Sequence, residues 1–436
     1  NHYRYLPLHN VHQYLLGYAE PAADFFASAA LAQLFVAQKR YSHTLIIPAY
    51  NESTAFIRQL MQQEFHMSTR LLVIIMVNQP AQKHSVITKL NRRIFDFFNG
   101  NPAFFVTQLL DENTKATHQL AVNYTQSTDF LCVDSSTQGV NPKQGVGYAR
   151  KLGCDIALQL MQKNIIEYGW LHCTDADATL PNEYFNTPCV NQTGNQAAIS
   201  ALTYAFDHRF LPKAKGHYQI KTEQANALYQ KSIVYYRDGL AASGSPYAFT
   251  TIGSAMAINP KHYCQVRGIP KRAAGEDFYV LNKLAKLAPV VALPYTIILK
   301  PRASQRVPFG TGPAIKLLLQ KKTFVDYNPK VFEHLKEAIA LWPKLYDVKL
   351  SHHQNNLTVQ TLQNRLTPIT WQALQSLGIK QLITHLNKQA KNPTQALRMS
   401  HEWFDGFRTL KFIHELTNGP YPKVGLAYLP YSAQNL

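Results

Sequence analysis

Residues 170–181 read WLHCTDADATLP: an apolar run closes on two aspartates one residue apart, then a threonine and a proline. Carboxylates at i and i+2 on a strand end suit two chemistries. Asp175 and Asp177 can hold a phosphate-bearing donor through a hard divalent cation such as manganese or magnesium. With Thr179 included, the same letters suit a phosphoryl-transfer centre in which Asp175 is nucleophile and Asp177 general acid. One hundred residues after Asp177, GEDFYVLNKL puts Glu276 and Asp277 at a helix start. A carboxylate there can act as general base, or simply favour the positive end of the helix. Between the two lies GVGYARKLG (145–153), preceded by Lys143. Its Arg150 and Lys151 can offset the charge of a diphosphate, or stand as solvated helix-start residues.

The surrounding pattern must place these groups. SHTLIIPAY (42–50) reads as a short strand stopped by Pro48, and NESTAFIRQLMQQEF as a helix capped by Asn51 or Ser53. RLLVIIMVNQP is a second buried strand, and KHSVITKLNRRIFDFFNG a helix ending at Gly100. DFLCVDS (129–135), a glycine-containing loop, the helix from RKLGCDIALQLMQKN and the strand YGWLHCTDAD follow. Apolar strands alternating with helices predict a mostly parallel α/β sheet. Ligands of such sheets sit beyond the carboxyl ends of the strands, where PAYNE, VNQP, VDSS and TDAD all fall. Residues 1–41 read as a helical segment, 42–310 as the α/β domain and 311–436 as a helical extension broken near Pro343, Pro368, Pro393 and Pro420.

Composition narrows the function classes. At 436 residues with 46 % apolar and 11 % aromatic content, the chain can bury a sizeable core. The longest apolar run, LLVIIMV, is seven residues, far short of the roughly 20 that span a bilayer. The start of the chain shows no basic-then-apolar leader. The five cysteines are scattered without a C-x-x-C pair, which favours free thiols and a cytoplasmic location. Among 17 histidines there is no H-E-x-x-H, and His352–His353 reads as a solvated pair. The net charge of +18 fits nucleic acid, an anionic surface, an acidic substrate or plain solubility. Residues 311–436 carry 15 Lys and Arg against 7 Asp and Glu, spread out and without a run of four. No specific nucleic acid is expected from such spacing. Gly145 and Gly147 form a lone G-x-G, but Arg150 stands where a dinucleotide fingerprint needs its third glycine.

Taken in order, TLIIPAYNES, GVGYARKLG, HCTDADATLP, TIGSAMAI (251–258) and GEDFYVLNKL resemble the family 2 glycosyltransferases of the GT-A fold, over residues 42–310. RVPFGTGPA (306–314) is similar to a segment that follows the catalytic domain in some bacterial members. The resemblance implies a hexosyltransferase using a UDP- or GDP-linked sugar and a divalent cation. It places Pro48, Ala49, Tyr50, Glu52 and Asp175 on the donor nucleotide and sugar, with Arg150 and Lys151 over the diphosphate. It puts Asp177 on the metal, Asp277 as base with Glu276 in support, and Gly253 and Ser254 on the acceptor side. Most members have D-D-G-S at the second strand end; here Asn78 stands in VNQPA, which leaves the base open. The implied acceptor is a small polar or anionic molecule or a glycan lipid, and peripheral membrane contact through the basic tail is compatible with it. The alternative is a magnesium-dependent phosphatase of the haloacid-dehalogenase type, whose fold usually begins with the D-x-D-x-T strand and needs a later acidic pair.

Overall fold

The computed structural model describes residues 6–28, 35, 40–65, 70–82, 85–190, 198–211, 216–301, 311–320, 324–351 and 357–425. Residues 306–310 of RVPFGTGPA and the His352–His353 pair lie outside the described residues. Two compact units emerge: Asn1–Glu223 with Thr251–Ala314, and Gln224–Thr250 with Ile315–Leu436. The division differs from the linear reading in two ways. The N-terminal segment belongs to the first unit, and residues 224–250 belong to the second.

The first unit opens with α1 (Leu6–Gly17) and a 3-10 turn (Pro21–Ala27); residues 29–34 and 36–39 of the segment read as helical lie outside the described residues. Then come β1 (Tyr41–Ala49), α2 (Ala55–Gln62), β2 (Arg70–Pro80) and α3 (Ser85–Asp96). β3 (Phe104–Asp111) and β4 (Ala116–Asn123) form an antiparallel hairpin before β5 (Thr128–Val140). α4 (Gly145–Gln162) carries the chain to β6 (Leu171–Cys173) and β7 (Ala178–Thr179). β8 (Ala201–His208), β9 (Met256–Ile258), α6 (Pro260–Gln265), α7 (Glu276–Leu284) and β10 (Val290–Leu299) follow, while α5 (His217–Ala242), between β8 and β9, belongs to the second unit from Gln224 onward.

Among the described residues ten strands form one sheet, ordered β3-β4-β5-β2-β1-β6-β9-β8-β10-β7. Its centre, β5-β2-β1-β6, is parallel, while β4, β9 and β7 pair antiparallel with their neighbours. β2 is buried on both faces from Leu71 to Gln79, as its unbroken apolar run requires. Burying each such Leu or Ile side chain contributes roughly 1.5–3 kcal/mol. The chain runs outward from β1 through β2 to β5, and α4 then returns it to β6 on the other side of β1. That reversal is a topological switch point, and it opens a crevice beyond the carboxyl ends of β1 and β6.

α4 can lie close on the sheet because Gly153 has no side chain: a Cβ there would sit 2.5 Å from Ile46 Cγ2 and 3.1 Å from Met76 Cγ. The 3-10 turn and α1 both pack against α4. Phe98, Phe104 and Phe130 close the core between α3 and the sheet, with ring centroids 5.0–6.0 Å apart. No helix among the described residues is long and apolar enough to cross a membrane.

The second unit is helical, as read: α8 (Thr311–Gln320), at whose Ile315 the unit resumes, is followed by α9 (Lys330–Leu341), α10 (Leu345–Leu350), α11 (Val359–Gln363), α12 (Pro368–Ser376), α13 (Ile379–Gln389), α14 (Pro393–Trp403) and α15 (Gly406–Asn418). The short strands β11 (Val325–Asp326) and β12 (Val424–Gly425) pair in this unit. Its core gathers around Trp342, Leu374, Phe404 and Phe412. Side chains close two of its helix ends, the start of α15 and the end of α13. Asp405 accepts from the N–H groups of Phe407 and Arg408, and Lys349 Nζ donates to the carbonyls of Leu386, Asn387 and Ala390 at 3.1–3.3 Å.

Candidate active site

At the switch point, β1 ends at Ala49 beside Val77, and Ile46 pairs with Cys173. The N–H of Thr174 donates to the carbonyl of Ile46 at 3.1 Å, extending the ladder by one residue before the chain turns. The turn is Asp175–Ala178, closed by the Ala178 N–H on the Asp175 carbonyl at 3.1 Å. Asp177 sits inside it, half-buried, its own carbonyl accepting from the Lys300 N–H. Thr179 accepts a hydrogen bond from Gln59 Nε2 at 2.6 Å, so its hydroxyl ties the turn to α2.

The second acidic pair comes to the same place. Glu276 and Asp277 open α7 after Gly275, which has φ 72°. Thr174 Oγ1 donates to the Ser254 carbonyl at 2.9 Å, which fastens the end of β6 to the segment carrying Gly253 and Ser254. The Arg150 guanidinium, on α4, joins the two acidic motifs: one Nη donates to Asp175 and the other to Glu276. Arg150 and Glu276 are buried, whereas the Asp175 side chain is 37 % exposed. Gly253 makes room for the guanidinium, since a Cβ there would lie 2.5 Å from Arg150 Nη1. The Asp277 carboxylate accepts from the Phe278 N–H at 2.7 Å and from the Gly253 N–H.

Burial pushes the Glu276 carboxyl up to about 7; Arg150 pulls it down, and Asp277 and Asp175 push it up. Burial likewise raises Asp277 against the pull of Arg150, with Asp175 adding to the rise. For Arg150 burial disfavours the charge, but Asp175 and Glu276 outweigh that and hold the guanidinium protonated.

The β1 and β2 ends contribute the donor-side candidates. Pro48 and Ala49 finish the strand, Tyr50 and Glu52 are half-buried, and Asn51 adopts a left-handed φ of 57°. One residue missed in the sequence organises this corner. Asn91, buried on α3, accepts from the Asn51 N–H at 3.3 Å and donates to the Asn78 carbonyl at 3.2 Å. The signal was present: Ile87, Asn91, Ile94 and Phe98 mark one helix face, with a polar residue on an otherwise apolar stripe. Asn78 itself is buried, and its Oδ1 has no hydrogen-bond partner among the described residues.

One expectation needs correction. Lys151 points away from Arg150: its Nζ donates to Tyr14 Oη, the Tyr18 carbonyl and Asp155 Oδ2, each at 2.8 Å. It therefore braces the N-terminal segment and does not join the diphosphate-facing group. The glycines of GVGYARKLG are packing glycines. The Gly147 N–H donates to the Arg272 carbonyl at 2.9 Å, and a Cβ on Gly145 would come 2.9 Å from Ala273 Cα. Asp134, at the β5 end, folds onto its own turn by accepting from Ser136 and Thr137.

No protein-family profile and no curated protein matches the chain. Among solved structures that match is the mannosyltransferase PcManGT from Pyrobaculum calidifontis in complex with GDP-Man and Mn2+. It shares 12 % identity over 92 % of this chain and 98 % of that one, at a TM-score of 0.33. A likeness of that size carries no argument for fold or function.

Proposed function

We propose that the chain is a glycosyltransferase of the GT-A type that moves a hexosyl unit from a nucleotide sugar to an acceptor hydroxyl. The observation that carries this reading is the convergence of Asp175–Asp177, Glu276–Asp277 and the β1 end at one switch point. The nucleoside would lie along Pro48–Tyr50 and Glu52. Asn78, at the end of β2, would lie on the base side of the nucleoside. Asp175 would face the ribose and sugar.

Among the described residues no three His, Cys, Asp or Glu side chains form a ready metal cage. A magnesium or manganese ion held by Asp177 would need phosphate oxygens to complete its shell, a common arrangement for magnesium, and the half-buried carboxylate suits that. Bound there, such an ion supplies Lewis-acid stabilisation of the departing diphosphate. Asp277, partly buried, is assigned the acceptor proton, with Glu276 in support. In the transfer the bond from the anomeric carbon to phosphate oxygen breaks, the bond to the acceptor oxygen forms, and the acceptor proton goes to Asp277. A small polar or anionic hydroxyl compound, or a glycan lipid, is the proposed acceptor.

A thermal-shift panel of nucleoside diphosphates, with and without manganese, tests the reading. One base should stabilise the protein only with metal, by about 2.7 kcal/mol at a hundredfold excess over Kd. Asp177→Ala should abolish that shift. Aryl-phosphate turnover that disappears in Asp175→Asn would instead establish the phosphatase reading.

A further inference from the structure

We infer that Arg150 is a positioning residue rather than a phosphate ligand: it sets the spacing between the donor-side and acceptor-side carboxylates, with Gly253 as its seat. The inference deepens the proposed transferase site and rests on that reading for the roles of the two sides. Its geometry stands independently.

Three elements meet at the guanidinium. Arg150 comes from α4, Asp175 from the end of β6 and Glu276 from the first turn of α7. Each Nη is committed to a different carboxylate. The second N–H of each Nη and the Nε–H remain, but the whole side chain is only 3 % exposed, which closes them to a diphosphate in the crevice. Nε has no hydrogen-bond partner among the described residues. A planar fork can hold two carboxylates at a fixed distance; a lysine ammonium, a point charge on a flexible stem, cannot.

Gly253 shows how tightly the fork is seated. A Cβ at that position would lie 2.5 Å from Nη1, 2.7 Å from Cζ and 2.8 Å from Nη2, so the guanidinium rests directly against this backbone. The same residue's N–H binds the Asp277 carboxylate. Moving the guanidinium therefore disturbs Asp175, Glu276 and, through Gly253, Asp277. In a reaction that needs donor and acceptor within contact distance, a shift of about 1 Å costs on the order of a hundredfold in rate.

Two measurements test the inference. Crystal structures of the ligand-free protein, of Arg150→Met and of Gly253→Ala read the carboxylates directly. In both variants Asp175 and Glu276 should move relative to each other by about 1 Å or more while the strands superpose. Carboxylates that keep their places in the variants overturn the inference, and this arm decides it even for a protein that turns over no nucleotide sugar. An Arg150→Met protein that fails to fold leaves Gly253→Ala to give the same answer.

The second measurement is kinetic. Arg150→Lys should lose about a hundredfold in kcat with a donor KM within about threefold of wild type. Arg150→Ala should recover part of that loss in millimolar guanidinium but not in methylammonium. A donor KM raised about tenfold or more with kcat kept would assign Arg150 to the phosphates and overturn the inference. Absence of nucleotide-sugar turnover in wild-type protein counts against the transferase reading alone.

Discussion

Arg150 and Lys151 are neighbours on one helix, both buried and both paired with acids, yet they belong to different networks. Lys151 has three protons and three close acceptors. Its main partner, Asp155, also accepts from Tyr14, Tyr263 and the Glu20 N–H. Glu20 in turn pairs with Lys271 at 3.1 Å. Every group in that network is answered, and Asp155 is fully buried. The Arg150 network is left incomplete. Its Nε has no partner, and one of its acids, Asp175, is more than a third exposed. A buried ion pair is stabilising only when its remaining hydrogen-bonding capacity is met. The saturated network is a brace, and the other presents one carboxylate, Asp175, to solvent.

The largest expected effect falls on the open side. Asp277→Asn should lower kcat by about 10²–10⁴-fold, the usual contribution of a general base, with a urea midpoint close to wild type. A transferase rate that survives this change would remove Asp277 from the chemistry. Lys151→Met comes next and should behave inversely. Leaving Asp155 buried without its cation should cost about 3–5 kcal/mol of stability, read by urea unfolding. The specific activity of the folded fraction at low temperature should stay unchanged. Loss of activity with stability intact would erase the distinction between the two cations. A smaller effect belongs to Asn91→Ala, which removes a buried hydrogen bond to the Asn78 carbonyl and a half-buried one from the Asn51 N–H, at about 1–3 kcal/mol. Its donor KM should rise more than its kcat falls, since Asn91 holds the β1 and β2 ends.

The difference between the two cations also marks where sequence reading stopped. The parallel centre of the sheet was legible because Leu71–Val77 and Leu45–Ile47 are unbroken apolar runs rich in Ile and Val, followed by Pro80 and Pro48. The hairpin of β3 and β4 was missed: FFVTQLLDENTKATHQLAVN carries turn residues at 112–115, but its alternation is imperfect. Asp175, Asp177, Glu276 and Asp277 were legible as acids in an acid-poor chain, and the structure brings the two motifs together. The direction of each cation was not legible. Adjacent residues on a helix point about 100° apart, so Arg150 and Lys151 could not both face one ligand. That constraint was available from the spacing alone. What faced each of them depended on residues more than a hundred positions away, Tyr14 in one case and Glu276 in the other. Residues 224–250 went unassigned to the helical unit for the same reason: Gly239 admits the Phe332 ring, and Ser243 donates to the Phe332 carbonyl.

The smallest effect is a pH slope, and it compares the acids of the two networks. Burial raises both Glu276 and Asp155 above the usual carboxylate range, against the pull of Arg150 and Lys151 respectively. A raised carboxyl keeps its proton in the folded state at a pH where the unfolded chain has lost it. Stability therefore falls as pH rises through that window. For Glu276 the window runs from 4.5 to about 7, with no further change above it. Glu276→Gln cannot titrate and should flatten this part of the slope in urea midpoints taken across the window. Asp155→Asn should flatten a slope that begins lower, from 3.8 upward. A wild-type slope untouched by Glu276→Gln would mean that the open network, despite its exposed acid, holds Glu276 ionised as firmly as water does. The contrast between a saturated brace and an unsaturated site would then lose its electrostatic half and rest on hydrogen bonding alone.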